Sequence, residues 1–327
     1  MLVSPVITAV AASGPSVVGS IPSPSSNQLE IGPLTLNYYG LCIGLGVLVA
    51  VFMGQRRWAA RGGHPDDIAY IATWGVPAGL IGARAYHVIT DWRPIDSWLK
   101  VWEGGLGIPG GLVVGVSVGY WAAKRRGLDV GNVIDAIVPG IPVAQAIGRF
   151  GNWFNQEIFG RPTEVPWAVE IDPEHRPAEF ADSATFHPAF LYEAIWNLGL
   201  AAFLVWIDRT GRLRKGMILP LYIGGYGIGR FVVEAVRIDP ATLILGVRVN
   251  HWVSGAAVLL AASALLLLFK NAGPSYWAAA PSPGADADGG AADDTAADDT
   301  ADDDEKADDD DTADDDETAD ESKVASD

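Results

Sequence analysis

The 327 residues are almost half hydrophobic, carry a formal net charge of −18 and contain one cysteine and five histidines. The charge belongs to a tail: residues 281–327 hold 21 Asp or Glu against 2 Lys, and the rest of the chain carries 19 acids against 20 Lys and Arg. A lone Cys42 excludes an intramolecular disulfide, and histidines without HxxxH or Cys-His spacing argue against a metal site.

The first thirty residues hold no Lys or Arg. The stretch "VITAVAASGPSVVGS" therefore lacks the basic start of a secretory signal and is too short to span a bilayer. Residues 1–30 read as an extracytoplasmic or interfacial arm. A membrane-crossing helix needs about 20 mostly apolar residues, and seven segments qualify. They are 36–53, 67–90, 105–123, 133–150, 189–207, 216–236 and 251–269. The fourth is the weakest because Pro139 and Pro142 interrupt it, yet without it the later loops would fall on the wrong side. Glycines and prolines inside these runs suit a membrane bundle better than a soluble core. Gly105, Gly107 and Gly110 match GxGxxG, but no strand precedes them and they open a span, so a dinucleotide site is not implied.

Loop charge sets the direction. The loops after segments one, three and five hold Arg56, Arg57 and Arg61, then Lys124, Arg125 and Arg126, then Arg209, Arg212, Arg214 and Lys215. By the positive-inside rule these loops face the cytoplasm. The N-terminus is then outside, the loop 151–187 is outside, and the C-terminus is inside. The chain is thus predicted to be an all-α membrane protein of about seven helices. A membrane catalytic domain covers 31–270, and residues 271–327 form a cytoplasmic tail. The tail's imperfect Asp-Asp-Thr-Ala repeat has no aromatic residue, cannot bury apolar surface and reads as disordered.

With that direction the charges that are costly in a membrane fall at one depth. Arg149 ends the fourth segment. Tyr226, Arg230 and Glu234 occupy one face of the outer half of the sixth at i, i+4, i+8. Arg84 lies near the outer end of the second, and Tyr39 and Glu193 near the outer starts of the first and fifth. A charge inside a bilayer costs at least about 2.5–3.5 kcal/mol, so a shared polar cavity at the outer leaflet is expected. Guanidinium forks match phosphate, and the anions at that depth are lipid head groups. The stretch "GRFGNWFNQEIFGRPT" (148–163) adds Asn152, Asn155, Glu157 and glycines that would let backbone amides approach an anion.

That stretch resembles the signature of the prolipoprotein diacylglyceryl transferases, G-R-x-G-N-F-x-N-x-E-x-x-G, with Trp153 in place of the usual Phe. Further similarity runs over about residues 30–270, in "IGPLTLNYYGL", "GLIGARAYHV", "HPAFLYEA" and "YGIGRFVVEAVR". The resemblance implies a reaction. The diacylglyceryl group of phosphatidylglycerol passes to the thiol of the lipobox cysteine of a prolipoprotein, giving a thioether and glycerol phosphate at the outer face of the bacterial cell membrane. It implies Arg149, Arg230 and Glu157 as catalytic residues. Asn152, Gly160, Tyr39, Tyr226, Glu234 and Arg84 are implied as phosphatidylglycerol-binding residues, with no cofactor, metal or nucleic-acid partner. Many relatives carry H-G-G-L at the entrance of the third span, and that His has been proposed as a base. This chain has Pro109 there, so Glu157, then His187, then Glu234 are the alternatives. A lipid transporter or flippase using the same arginines, or a noncatalytic lipid-binding protein, are the competing readings. No inverted repeat supports the transporter.

Overall fold

The computed structural model describes residues 19–32, 34–91 and 105–271. The acidic tail and residues 1–18 of the arm lie outside the described residues. Eight helices and three two-stranded ribbons follow one another among these residues. The first ribbon pairs β1 (Gln28–Ile31) with β2 (Leu34–Asn37) and feeds α1 (Tyr38–Ala59). Asn37 caps α1, its side chain accepting from the Tyr39 amide at 2.8 Å. Next come α2 (Pro65–Asp91) and α3 (Ile108–Arg125). Pro109 sits in the first turn of α3, where its missing N–H costs no intrahelical bond.

Asp129 caps α4 (Val130–Ile137) by accepting from the amides of Gly131 and Asn132. The helix breaks at Val138 and Pro139 and resumes as α5 (Gly140–Phe154). Pro139 has no amide hydrogen to continue the ladder. The fourth predicted segment is therefore two helices in series. The remaining helices are α6 (Ala189–Arg209), α7 (Ile218–Glu234) and α8 (Val249–Asn271). Between α5 and α6 the chain forms β3 (Val169–Glu170), two 3-10 turns and β4 (Thr185–Phe186). Between α7 and α8 lie β5 (Leu243–Ile244) and β6 (Val247–Arg248). The ribbons amend the all-α expectation.

Among the described residues, four helical stretches are long and apolar enough to cross a membrane: Tyr38–Ala59, Val130–Phe154, Ala189–Arg209 and Val249–Asn271. Large apolar side chains cover the exterior while several charged and amide side chains are buried. Leu48, Ile81, Leu259 and Leu260 are 69–71% exposed, while Asn197 and Glu234 are 1% exposed and Asp208 is 2% exposed. An apolar exterior around an interior that holds charged side chains is stable where the surroundings are hydrocarbon, and the chain is a helical membrane protein. Small residues bring the helices together. A Cβ on Gly82 of α2 would lie 2.6 Å from the Gly110 carbonyl of α3, so neither position tolerates a side chain.

Charges gather at both ends of α6. At its C-terminal end Asp208 meets Arg57 at 2.8 Å and Arg61 at 2.5 Å, and both arginines also donate to the Asp135 carbonyl. The Asp135 carboxylate accepts from the amides of Gly216 and Ile218, which clamps the start of α7. Two of the arginines read from sequence as orientation determinants are therefore also buried packing elements. At the other end of α6, ~22 Å away at ~1.5 Å per residue, stands Glu193.

Candidate active site

The signature stretch begins on α5 and continues past its end. Asn155 closes the helix, its amide donating to the Gly151 carbonyl. Gln156 and Ile158 then adopt left-handed φ of 50° and 58°. This conformation is unfavourable for a β-branched residue and persists only where surrounding contacts hold it. The Gln156 amide supplies one: it donates to the Asp172 carboxylate at 2.6 Å and accepts from the Asp172 amide at 2.8 Å. Beneath this turn Phe159, Val169, Ile171, Phe186 and Phe190 form an apolar core against which Trp153 packs. The N-terminal arm joins it. Ile21 bridges Val169, and the Ser20 and Ser23 hydroxyls donate to Glu170.

The strained turn aims Glu157 back along α5. Its carboxylate accepts from the side-chain amides of Asn152 at 2.9 Å and Asn155 at 3.2 Å. Asn152 in turn accepts from Arg149 at 3.2 Å. Arg149 reaches Glu193 of α6 at 2.6 Å. Glu193, with a side chain 5% exposed, also meets Arg230 of α7 at 3.0 Å and Arg237 at 3.4 Å. Arg230 closes an i,i+4 pair with Glu234 at 2.8 Å. Arg248 of β6 meets Glu234 at 2.6 Å, and Asn250 donates to the same carboxylate. Asp239 joins the network through Arg237 at 2.6 Å and Arg248 at 3.3 Å. Burial by itself pushes the Asp239 carboxyl up. The hydrogen bond from Arg237 and the charges of Arg237 and Arg248 outweigh it and hold the group below the usual carboxylate range.

Four guanidinium groups thus meet three carboxylates in one network drawn from α5, α6, α7 and the ribbon before α8. It holds one cation in excess, and Glu157 lies one amide away from it. Each arginine has five donors in a planar fork. The contacts of Arg149 and Arg230 leave donors for a further anion.

The structure brings together Arg149, Asn152, Glu157, Arg230 and Glu234. Tyr226 lines a small cavity beside Glu193 and Arg230. The Tyr39 ring lies against Gly151, where a Cβ would approach it to 2.5 Å. Gly160 differs from expectation. Its amide donates to the His187 carbonyl at 2.8 Å, and a Cβ there would meet His187 and the Val236 carbonyl. The glycine serves close packing of three segments, and its amide is already engaged. Arg84 and His187 have other partners. Arg84 donates to the Gly105 carbonyl at 3.0 Å, and His187 Nδ1 lies 3.0 Å from the Tyr192 hydroxyl. Outside the network, Asp172, Glu174 and His175 have ligand-type atoms within 4.8 Å of one another, all exposed. Asp239, Arg248 and Asn250 were missed from sequence. Arg237 stood in the quoted "YGIGRFVVEAVR" without a role.

Between α6, α7 and α8 lies a cavity of about 610 Å³, walled by apolar groups including Leu200, Phe203, Leu221, Ile228 and Leu265. Trp196 lines both this cavity and the small polar one.

Comparison with known proteins gives one consistent result. Residues 27–268 match the family model described as prolipoprotein diacylglyceryl transferase. A Streptomyces coelicolor protein named phosphatidylglycerol–prolipoprotein diacylglyceryl transferase 2 is 47% identical over 278 residues, covering 82% of this chain and 87% of that protein. A second from the same organism, bearing that name with the number 1, is 48% identical, covering 76% of this chain and 73% of its own length. A Cutibacterium acnes protein named phosphatidylglycerol–prolipoprotein diacylglyceryl transferase is 46% identical, covering 77% and 87%. With the fold, the signature and the arginine network in agreement, the chain belongs to the prolipoprotein diacylglyceryl transferase family.

Proposed function

We infer that the protein performs the reaction its family is named for. The diacylglyceryl group of phosphatidylglycerol is transferred to the thiol of the lipobox cysteine of a prolipoprotein. The thiol sulfur attacks the glycerol carbon that bears the phosphate ester. A C–S bond forms, the C–O bond breaks, and the electron pair leaves with glycerol phosphate. The observation that carries this reading is the partly buried network of four arginines on three carboxylates. Its excess positive charge and unspent guanidinium donors are what a departing phosphate requires.

Arg149 and Arg230 hold the phosphate, with the negative charge that grows on the leaving oxygen strengthening their hydrogen bonds. Glu157 reaches Arg149 through Asn152, which supports an orienting role. Its exposure leaves the carboxylate open to take the thiol proton, and Pro109 has no lone pair for that task. Tyr39, Asn152, Tyr226, Glu234 and Gly160 shape the surroundings of the head group, and Arg84 stands at the junction of α2 and α3. The apolar cavity beside Trp196 supports acyl-chain accommodation next to the polar site.

The same reading carries a topology. The spans are α1, α2, α3, α4 with α5, α6, α7 and α8, with the N-terminus outside the bacterial cell membrane and the C-terminus in the cytoplasm. Two features support it: ten basic residues lie in the last turns of α1, α3 and α6 or in the loops that follow them, and the two charge clusters stand at opposite ends of α6. The test is direct. Purified protein is incubated with phosphatidylglycerol labelled in its acyl chains and a lipobox peptide. Label joined covalently to the peptide cysteine, with glycerol phosphate released in equal amount, is the expected result. An unmodified peptide beside intact, bound lipid overturns the assignment.

A further inference from the structure

Inward of the arginines, α6 and α7 carry two polar residues that the reaction as described does not use together. Asn197 follows Glu193 by one turn on α6, and Tyr226 precedes Arg230 by one turn on α7. Asn197 is 1% exposed, and among the described residues its Oδ1 meets no hydrogen-bond partner. A buried amide oxygen in that state is destabilising unless something donates to it. Asn197, Tyr226, Glu193 and Arg230 line one cavity of about 10 Å³, closed on its apolar side by Trp196 and Val233. That volume matches a single oxygen with its hydrogens, and the walls offer the two to four polar partners such an occupant needs.

We propose that Asn197 and Tyr226 form a subsite for one hydroxyl group, seated beside the Arg230–Glu193 pair. The occupant donates to Asn197 Oδ1 and exchanges a hydrogen bond with the Tyr226 hydroxyl. Two sources have this chemistry: a hydroxyl of the head-group glycerol, or a water. One helical turn is ~5.4 Å, close to the span from a phosphate to the terminal hydroxyl of a glycerol esterified to it. A head group whose phosphate rests on Arg230 therefore reaches the subsite. The inference rests on the lipid-binding side of the transferase reading and adds a reason why a polyol head group is chosen. A site built around a hydroxyl rejects the analogue that lacks it, because its buried polar groups are then left unpaired.

The test compares phosphatidylglycerol with phosphatidyl-1-propanol of the same acyl chains, whose head group has no free hydroxyl. Affinities are measured on the full-length protein in detergent micelles for wild type, Asn197→Leu and Asn197→Ser. If the head group is the occupant, wild type prefers phosphatidylglycerol about tenfold, as one well-made hydrogen bond allows. Asn197→Leu then erases the preference and Asn197→Ser keeps part of it. If water is the occupant, wild type binds both lipids alike, Asn197→Leu weakens both about tenfold, and Asn197→Ser restores them. Wild-type affinities for both lipids in Asn197→Leu overturn the subsite. So does equal weakening by Leu and Ser at unchanged thermal stability, because then only the shape of the amide matters. Should Asn197→Leu fail to fold, Tyr226→Phe reads the same subsite: lost preference or weakened binding supports it, and wild-type affinities for both lipids overturn it. Transfer to a lipobox peptide is assayed in parallel. A wild type that binds with the stated preference yet transfers nothing refutes the activity and leaves the subsite standing.

Discussion

Glu193 is the residue on which the network turns, and its replacement by Gln is the most informative perturbation. Three guanidinium groups lie within 3.4 Å of its carboxylate, and the side chain is 5% exposed. Removing one partner of a buried ion pair costs about 3–5 kcal/mol, because the remaining charge is left uncompensated. The three arginines do not suffer equally. Arg230 keeps Glu234 at 2.8 Å and Arg237 keeps Asp239 at 2.6 Å. Arg149 is left with the neutral side chain of Asn152. Most of the loss in Glu193→Gln is therefore assigned to Arg149. At about 2–4 °C per kcal/mol for a chain of this size, the melting temperature in detergent is expected to fall by roughly 10 °C. Adding Arg149→Gln should recover roughly 1.5–3 kcal/mol of that loss, whereas adding Arg237→Gln should recover far less. The assay is thermal unfolding of the single and double variants. Additivity of Glu193→Gln with Arg149→Gln, within about 0.5 kcal/mol, would refute the reasoning.

Four further outcomes are expected. Arg149→Lys and Arg230→Lys should each lose most transfer activity although charge is kept, since an ammonium cannot reproduce a bidentate fork; near-normal turnover in both would reduce these arginines to counter-ions. The lowered Asp239 carboxyl contributes stability that is full above the ordinary carboxylate range and lost as pH falls through its folded-state value. Between pH 6 and 3 the melting temperature of Asp239→Asn should accordingly fall less steeply than that of wild type, and parallel curves would remove this group from the acid response. In a Cys42→Ala background, a cysteine at Ser183 should label from outside intact cells and one at Gly211 only after permeabilisation; the reverse pattern overturns the orientation. Gly82→Ala should destabilise by about 1–3 kcal/mol, read by thermal unfolding, because its Cβ meets the Gly110 carbonyl at 2.6 Å. An intrinsic helix preference for Ala of about 1 kcal/mol runs the other way, so a stabilised variant would show that α2 and α3 separate easily.

Local features of the molecule were legible in the sequence, and long-range ones were not. Hydropathy located the long helices to within six residues at either end, and Pro139 marked the break between α4 and α5. The i, i+4, i+8 spacing placed Tyr226, Arg230 and Glu234 on one helix face, and the structure pairs Arg230 with Glu234 at 2.8 Å. Arg248 and Asp239 could not be found this way. Arg248 pairs with Glu234 fourteen residues away and with Asp239 across the ribbon, and Asp239 meets Arg237 in a non-helical segment, so no helical spacing marks any of these pairs. The glycines of 148–160 misled for a different reason. A glycine can answer a need for unusual φ, for an exposed amide or for room. Here the left-handed positions are Gln156 and Ile158, while Gly151 and Gly160 make room for Tyr39 and His187. Composition identifies the residue type but not which of the three needs it meets.

The charge count of the network bears on why so much polarity is kept inside a membrane protein. A cluster of equal arginines and carboxylates satisfies itself, and a lipid phosphate entering it would have to displace a carboxylate already in place. Four arginines against three carboxylates are short of one anion. Glu157 could supply it, but the carboxylate is exposed and bound to Asn152 and Asn155 in preference to a guanidinium. The site is thus held one amide short of neutrality by the strained turn at Gln156 and Ile158. On the proposed function, a phosphate would complete the charge balance without breaking an existing pair, and the carboxylates would keep the arginine forks oriented when it leaves.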